Sequence, residues 1–362
     1  MEISVIIPTH NQQERLRLVL CGLRRQRAVE VKFEVIVVDD GCTDGTALML
    51  ADVAQQMPLK IVRLQPNQGR CRARNDGVQH AVGRLVAFLD GDALPHPDWL
   101  SSHWRAYQRY GPDCLLCGSE YSLADLEYFQ DPQTGTLMEG LTPSVVRTYL
   151  RQRRAELIVT EAQIETDFAG VEARACEGGY PFPELQQVQQ QTRELCHSCP
   201  ASPLTWIGFY PHNGMVRRDV FEQVGGFDAE IPFCEGWDLA YRLQQAGLRP
   251  CFVDAARTYH LYHYHDFSDP AKSQAETRKR RQALDAMAQR YADPRLVLVH
   301  FWLGALWPDP LLPEETLLPD LLHLDQAYRE LDEAAVEERQ RLLQRHPLWG
   351  LGVLNGKENA HA

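Results

Sequence analysis

No stretch among the 362 residues reaches the roughly 18 uncharged apolar residues a helix needs to cross a bilayer. The amino terminus lacks a basic segment and a small-residue cleavage site, so its apolar run reads as a first strand rather than a secretory leader. The expected compartment is the cytoplasm, with a peripheral place at a membrane surface as the alternative. Positive charge is also scarce: 37 Lys and Arg stand against 49 Asp and Glu, a formal net charge of -12. Such a surface repels phosphate backbones, which argues against a general nucleic-acid binder. There is no internal repeat. Nor do the ten cysteines form the spaced framework of a small disulfide-stapled fold. Cys114 and Cys117 have CxxC spacing inside an apolar run; residues three apart in a strand face opposite sides, so that pair is expected in the core. Cys196 and Cys199, with Cys176 upstream, lie in a polar stretch where free surface thiols and a structural zinc both stay open.

What the chain does have is apolar matter for a large core, 44% of its residues. Strand and helix patterns alternate over the first ninety residues or so. Residues 3–7 are rich in β-branched side chains, and Leu16, Val19, Leu20 and Leu23 repeat at one face of a helix. Strands are expected at 33–38, 59–64 and 85–89, with helices around 47–54 and 70–82. This order implies an α/β fold, a mostly parallel Rossmann-like sheet flanked by helices. Right-handed crossovers bring the strand carboxyl ends to one edge, where ligands of open α/β sheets bind. Further along, 114–121 reads as a strand and 123–203 as a partly helical insertion carrying acceptor- or partner-binding elements. Residues 206–266 are dense in aromatics and histidines, and 270–345 are mostly helical. The apolar run 296–307 is too short to span a membrane and is expected to dock on the core. The tail from Asn355 is expected to be disordered.

Three polar segments fall at the predicted sheet edge: Pro8-Thr9-His10-Asn11, Asp39-Asp40-Gly41-Cys42-Thr43-Asp44-Gly45 and Asp90-Gly91-Asp92. A carboxylate pair after a strand is often a turn or a helix cap. Three such segments on one edge instead argue for a single polar site. Two carboxylates one residue apart suit a hard divalent cation, Mg²⁺ or Mn²⁺, that takes its remaining ligands from phosphate and water and stabilises a pyrophosphate leaving group.

Val5-Ile6-Ile7-Pro8-Thr9, Val37-Val38-Asp39-Asp40-Gly41, Asn67-Gln68-Gly69 with Ala73-Arg74-Asn75-Asp76-Gly77, and Phe88-Leu89-Asp90-Gly91-Asp92 stand in the order and spacing of the family 2 inverting glycosyltransferases. The resemblance covers residues 3 to 92 and resumes at Gly225-Gly226-Phe227-Asp228 and Glu235-Gly236-Trp237-Asp238-Leu239 with Arg242. It implies the GT-A fold and transfer from a nucleotide-diphosphate sugar. The expected divisions are a nucleotide-sugar-binding half (1–122), the insertion (123–203), an acceptor-binding half (204–268) and a helical extension (269–362).

By resemblance, Pro8, Thr9, Asn11 and Asp39 or Asp40 hold the base and ribose. A carboxylate suits the imide N–H of uracil, which favours UDP. Gly69, Arg70 and Arg74 open a helix whose amides and guanidiniums favour anions. Asp90, Gly91 and Asp92 match the DxD motif. Its second aspartate usually ligates the metal, and the first reaches the ribose or a metal-bound water. His263 or His265 is expected to contact metal or pyrophosphate; alternation along a strand would put these two, but not His260, on one face. His212 and Trp237 fall on the acceptor side. The pattern departs at Gly236, where the family carries the aspartate that is commonly the base. Glu235 is then the expected catalytic base. Asp238 is the alternative, although at four residues' distance it can pair with Arg242. Two other readings stay open: a catalytically silent GT-A binding domain, for which Gly236 speaks, and a nucleotidyltransferase, which usually has a Gly-rich basic first loop in place of Pro8-Thr9-His10-Asn11. The sequence does not identify the acceptor; peptide or protein, natural-product, oligosaccharide and lipid-head-group acceptors all fit.

Overall fold

The computed structural model describes residues 1–333 apart from 28–29, 181, 232, 265–269, 308–311 and 313. β1 (Ile3–Thr9), α1 (Gln13–Arg24), β2 (Phe33–Asp40), α2 (Thr46–Val53), β3 (Lys60–Leu64), α3 (Arg70–Gln79) and β4 (Leu85–Leu89) follow one another as the apolar periodicity predicts. β1 lies between β2 and β4 in parallel register, with Thr9 opposite Asp39, and β3 extends the sheet beyond β2. Gly77 lets α3 lie close on the strands: a Cβ there would stand 2.5 Å from Ile6 Cγ2.

The chain continues through β5 (Ala93–Pro95), α4 (Trp99–Tyr110), β6 (Cys114–Ser122), the hairpin β7 (Phe129–Asp131) and β8 (Thr136–Leu137), α5 (Ser144–Gln152), α6 (Arg154–Leu157), α7 (Glu161–Thr166), α8 (Phe168–Glu172) and β9 (Cys176–Glu177). After α9 (Pro183–Ser198) come β10 (Asn213–Arg217), α10 (Arg218–Gln223), α11 (Glu235–Gln245), β11 (Arg249–His260), α12 (Pro270–Arg290), α13 (Val299–Leu306) and α14 (Leu321–Glu333). Among the described residues a nine-stranded sheet runs β3-β2-β1-β4-β10-β6-β11-β5, with β9 paired to β6. β10 is antiparallel to both β4 and β6, so the parallel first half passes into a mixed second half without a break.

Alternate side chains of each strand feed opposite faces, which yields two cores. Ile3, Val5 and Ile7 pack with α1, α2 and α4, whereas Ile6, Val38 and Phe88 pack with α3, α11 and the C-terminal helices. The segment 123–203, expected as one insertion, is divided between them. Leu157, Ile164, Phe168 and Val171 join the α1 face, while Val188 and Leu195 of α9 join Trp206 and Trp302 on the other. The apolar run around α13 docks on that second face as expected, with Leu296, Val299, Phe301 and Trp302 buried. No helix among the described residues is long and apolar enough to cross a membrane.

Asn213, fully buried at the start of β10, ties the halves together. Its Nδ2 donates to the carbonyls of Ser119 and Ala256, at 3.0 and 2.9 Å. Its Oδ1 accepts from Trp99 Nε1 at 2.8 Å and lies 3.0 Å from His103 Nε2.

Candidate active site

The carboxyl ends of β1, β2 and β4 open onto a cavity of about 440 Å³. Pro8, Thr9, Asp40, Gly69, Arg70, Arg74, Asp90, Gly91, Asp92, His212 and His263 all line it. Asp39 does not, because neighbouring strand residues face opposite ways. Its Oδ1 accepts the Cys42 amide at 2.8 Å, and Oδ2 lies 3.8 Å from Arg63. Asp40 is the inward carboxylate, and it holds the loop before α3 by accepting the Gln68 and Gly69 amides at 2.7 and 2.9 Å. Asn11, expected at the nucleotide, instead staples two loops: its Oδ1 accepts the Thr43 amide at 2.8 Å and the Asp44 amide at 3.3 Å. Thr9 Oγ1 is buried on the cavity wall with no hydrogen-bond partner among the described residues.

Asp90 and Asp92 diverge. Asp90 accepts from Arg74 at 2.8 Å and is not part of the metal-binding geometry expected of it. Asp92 Oδ2 lies 3.4 Å from His263 Nε2 and 3.7 Å from His260 Nε2. Burial would raise the Asp92 carboxyl, but the hydrogen bonds and charge of the two imidazoles outweigh it and hold it well below the usual carboxylate range. His260 corrects the strand argument. β11 ends at His260, and the chain then leaves the strand, its Leu261 amide donating to the Asp92 carbonyl at 2.7 Å. That departure swings His263 round to the face His260 already occupies. Arg15, buried on α1, fixes it by donating to the carbonyls of Leu261 and Tyr262, at 2.8 and 3.1 Å, and of Phe129 at 2.9 Å. His265 lies outside the described residues.

The ligand atoms of Asp92, His260 and His263 lie within 4.8 Å of one another, a group of metal-binding geometry. Around one ion with bonds of about 2.0–2.2 Å, adjacent ligand atoms sit about 3 Å apart, so small movements would close the set. No other such group occurs among the described residues. Cys176 lies in β9, Cys196 is buried with Sγ toward the Thr205 carbonyl, and Cys199 closes α9, so the zinc reading has no gathered ligands there. Cys114 and Cys117 are buried in β6.

A second cavity of about 300 Å³ adjoins the first and shares Arg70, Arg74, Asp90 and His212 with it. Glu235, the first residue of α11, and Trp237 line it. Glu235 is only 4% exposed and is gripped by both arginines. Arg70 reaches its two oxygens at 2.5 and 3.0 Å, and Arg74 adds a contact at 3.3 Å. Arg74 is itself buried; burial alone would lower its pKa, but Asp90 and Glu235 together raise it. Asp238, the alternative base, reaches neither cavity. It is fully buried and bonded to Arg242 and to the Tyr291 hydroxyl at 2.5 Å each. At Gly236 a Cβ would stand 2.7 Å from Pro211 Cδ, so the space where the family carries an aspartate is already filled by proline.

Glu120, which sequence reasoning did not single out, lines the first cavity and pairs with His212 at 2.6 Å. Burial opposes ionisation of both, yet their mutual attraction prevails: Glu120 is lowered and His212 raised. No local motif marks Glu120, because it lies mid-strand in β6 and meets the site only through the pairing of β6 with β10 and β11.

Residues 4–162 match the profile of Glycosyl transferase family 2. The chain is 29% identical over 260 residues to the uncharacterized glycosyltransferase YfnE of Bacillus subtilis, covering 68% of this chain and 62% of that protein. It is 28% identical over 250 residues to a validoxylamine A glucosyltransferase of Streptomyces hygroscopicus subsp. limoneus, covering 68% of this chain and 48% of that one. It thus spans less than two thirds of the length of either relative. Among solved structures, Staphylococcus aureus TarS 1-349 shares the fold at a TM-score of 0.54 and 14% identity, over 98% of this chain and 80% of that one. The sheet, the strand-end motifs and these likenesses agree: residues 4–162 carry the glycosyltransferase family 2 profile, and the chain has the GT-A fold.

Proposed function

We propose that the protein transfers a glycosyl group, with inversion and metal assistance, from a nucleotide-diphosphate sugar to a hydroxyl-bearing acceptor. One observation carries this reading. Asp92, His260 and His263 converge on the cavity into which Arg70 and Arg74 project, and Glu235 stands where that cavity meets the second one. The donor's diphosphate lies between the α3 amino terminus with its arginines and the Asp92 group, and its base and ribose lie against Pro8, Thr9 and Asp40. UDP is the favoured nucleotide, supported by TarS of the same fold, whose structures hold UDP and UDP-GlcNAc.

The three ligands fit a divalent ion, which when bound offsets the diphosphate charge and stabilises it as a leaving group. Two imidazoles disfavour Mg²⁺, which takes oxygen ligands, so Mn²⁺ is the better fit of the two expected ions. The acceptor hydroxyl attacks the anomeric carbon from the second cavity. A C–O bond forms there as the bond to the diphosphate breaks, and the hydroxyl proton passes to Glu235. Both Glu235 oxygens are occupied by the two guanidiniums. The incoming diphosphate competes for Arg70 and Arg74 and so frees Glu235 when the donor is bound.

The test is calorimetry with UDP and Mn²⁺, followed by an assay for slow UDP release from a panel of UDP-sugars. Micromolar UDP binding that needs Mn²⁺, with metal-dependent UDP release, is expected. Binding without release would leave a nucleotide-binding module. Failure to bind any nucleotide would overturn the reading.

A further inference from the structure

Three arginines line the second cavity, and two of them are held by hydrogen-bonded carboxylates. Arg70 and Arg74 pair with Glu235 and Asp90. Arg280, reaching in from α12, is not. Its guanidinium lies over the Trp307 ring at 4.1 Å and the Phe233 ring at 5.1 Å, and its side chain is 15% exposed. It makes no hydrogen bond to any described residue, and its nearest carboxylate is Glu276, 3.9 Å away and one turn back on its own helix. Burial lowers its pKa, but a guanidinium stays charged at any ordinary pH. Stacking on two rings offsets part of the cost of removing it from water, yet it leaves the planar fork of N–H donors unused. That fork matches the paired oxygens of a carboxylate or phosphate.

We propose that the acceptor carries an anionic group, a carboxylate or a phosphate, which Arg280 receives while the ring or chain bearing it lies against Trp237 and Phe233. This rests on the reading of the second cavity as the acceptor site. It goes further in fixing the acceptor's chemical class.

The experiment uses the whole protein saturated with UDP and Mn²⁺, so that the donor cavity is filled and cannot capture the probe. Glucose, glucuronate and glucose 6-phosphate are titrated in turn, read by calorimetry and by tryptophan fluorescence, because Trp237 and Trp307 both line the cavity. At least one anionic sugar is expected to bind about tenfold or more tightly than glucose, and Arg280→Gln to erase that difference. A preference for glucuronate indicates a carboxylate acceptor, and one for glucose 6-phosphate a phosphorylated acceptor. UDP affinity in the same titration reports whether the variant is folded. If Arg280→Gln is not, Arg280→Lys takes its place and is expected to weaken the preference, glucuronate more than glucose 6-phosphate, since lysine lacks the bidentate fork. Equal binding of charged and neutral sugars, no saturable binding of either anion, or a preference undiminished in the folded variant would each overturn the proposal. Loss of UDP binding in the unaltered protein would strike the glycosyltransferase reading instead.

Discussion

The two halves of the sheet build their sides of the cavities by different means. In the first, β1, β2 and β4 run parallel, and each delivers its polar residues from its last positions or the loop directly after it. In the second, Glu120 comes from mid-strand, His212 from a loop before β10, Glu235 from the start of α11, His260 from the end of β11 and Arg280 from α12. A regular βα repeat makes a site that is local in sequence. A mixed sheet crossed by long connections makes one whose members have no common spacing.

The comparison breaks most sharply at Asp92, where the two halves meet. Asp92→Ala should lower metal-dependent UDP release by about a thousandfold or more, the loss expected when an ion contributing several kcal/mol to charge stabilisation is released. A Mn²⁺ titration of turnover checks this, and wild-type turnover at saturating Mn²⁺ would make the Asp92–His260–His263 group structural. The next test sets two acidic residues on α11 against each other. Asp238→Asn should cost about 3–5 kcal/mol of stability, as breaking a buried ion pair does, whereas Glu235→Gln should lower kcat by about 10²–10⁴ with a smaller stability loss. Urea unfolding and turnover on both variants decide it; the reverse pattern would reassign the base.

His103, at the seam between the halves, links stability to pH. Burial pushes its pKa down from 6.5 to about 4, against the weaker opposing bond to Asn213. Since Asn213 Nδ2 is committed to donating elsewhere, its Oδ1 accepts from His103 Nε2, and a second proton on Nδ1 would find no acceptor among the described residues. The unfolded chain therefore holds more protons between these two values. Stability is full above about pH 6.5 and falls as the pH is lowered toward 4, by about 3 kcal/mol from this group. Urea unfolding at pH 7 and pH 5 should reveal the loss, and His103→Gln should flatten it. The smallest effect is at Gly236. Gly236→Ala should destabilise by about 1–3 kcal/mol through crowding against Pro211, and Gly236→Asp should not raise turnover. A gain in turnover would mean that Pro211 yields and the family's aspartate can be restored.

Much of the first half was legible because short-range rules govern it. The stripe of Leu16, Val19, Leu20 and Leu23 was enough to predict α1, and the apolar runs leading into Asp39-Asp40 and Asp90-Gly91-Asp92 were enough to predict strands running to one edge. Within that frame the errors were of orientation. Asp39 and Asn11 stand at the right edge of the sheet but spend their polar atoms on backbone amides. In the second half, Glu235 was found through its motif, but its pairing with Arg70 and Arg74 was not, because 165 and 161 residues separate them. His260 was set aside by the alternation of a strand that ends at that very residue.

By itself, then, the sequence determined the order of elements, the sheet edge and the family resemblance, since hydrophobic periodicity and strand-end motifs act over a few residues. Only the tertiary structure decided which carboxylate faces which cavity, that two histidines rather than a second aspartate join Asp92, and that Arg280 stands without a hydrogen-bonded carboxylate. Those outcomes depend on where chain segments more than a hundred residues apart come to rest, and no local pattern encodes that distance.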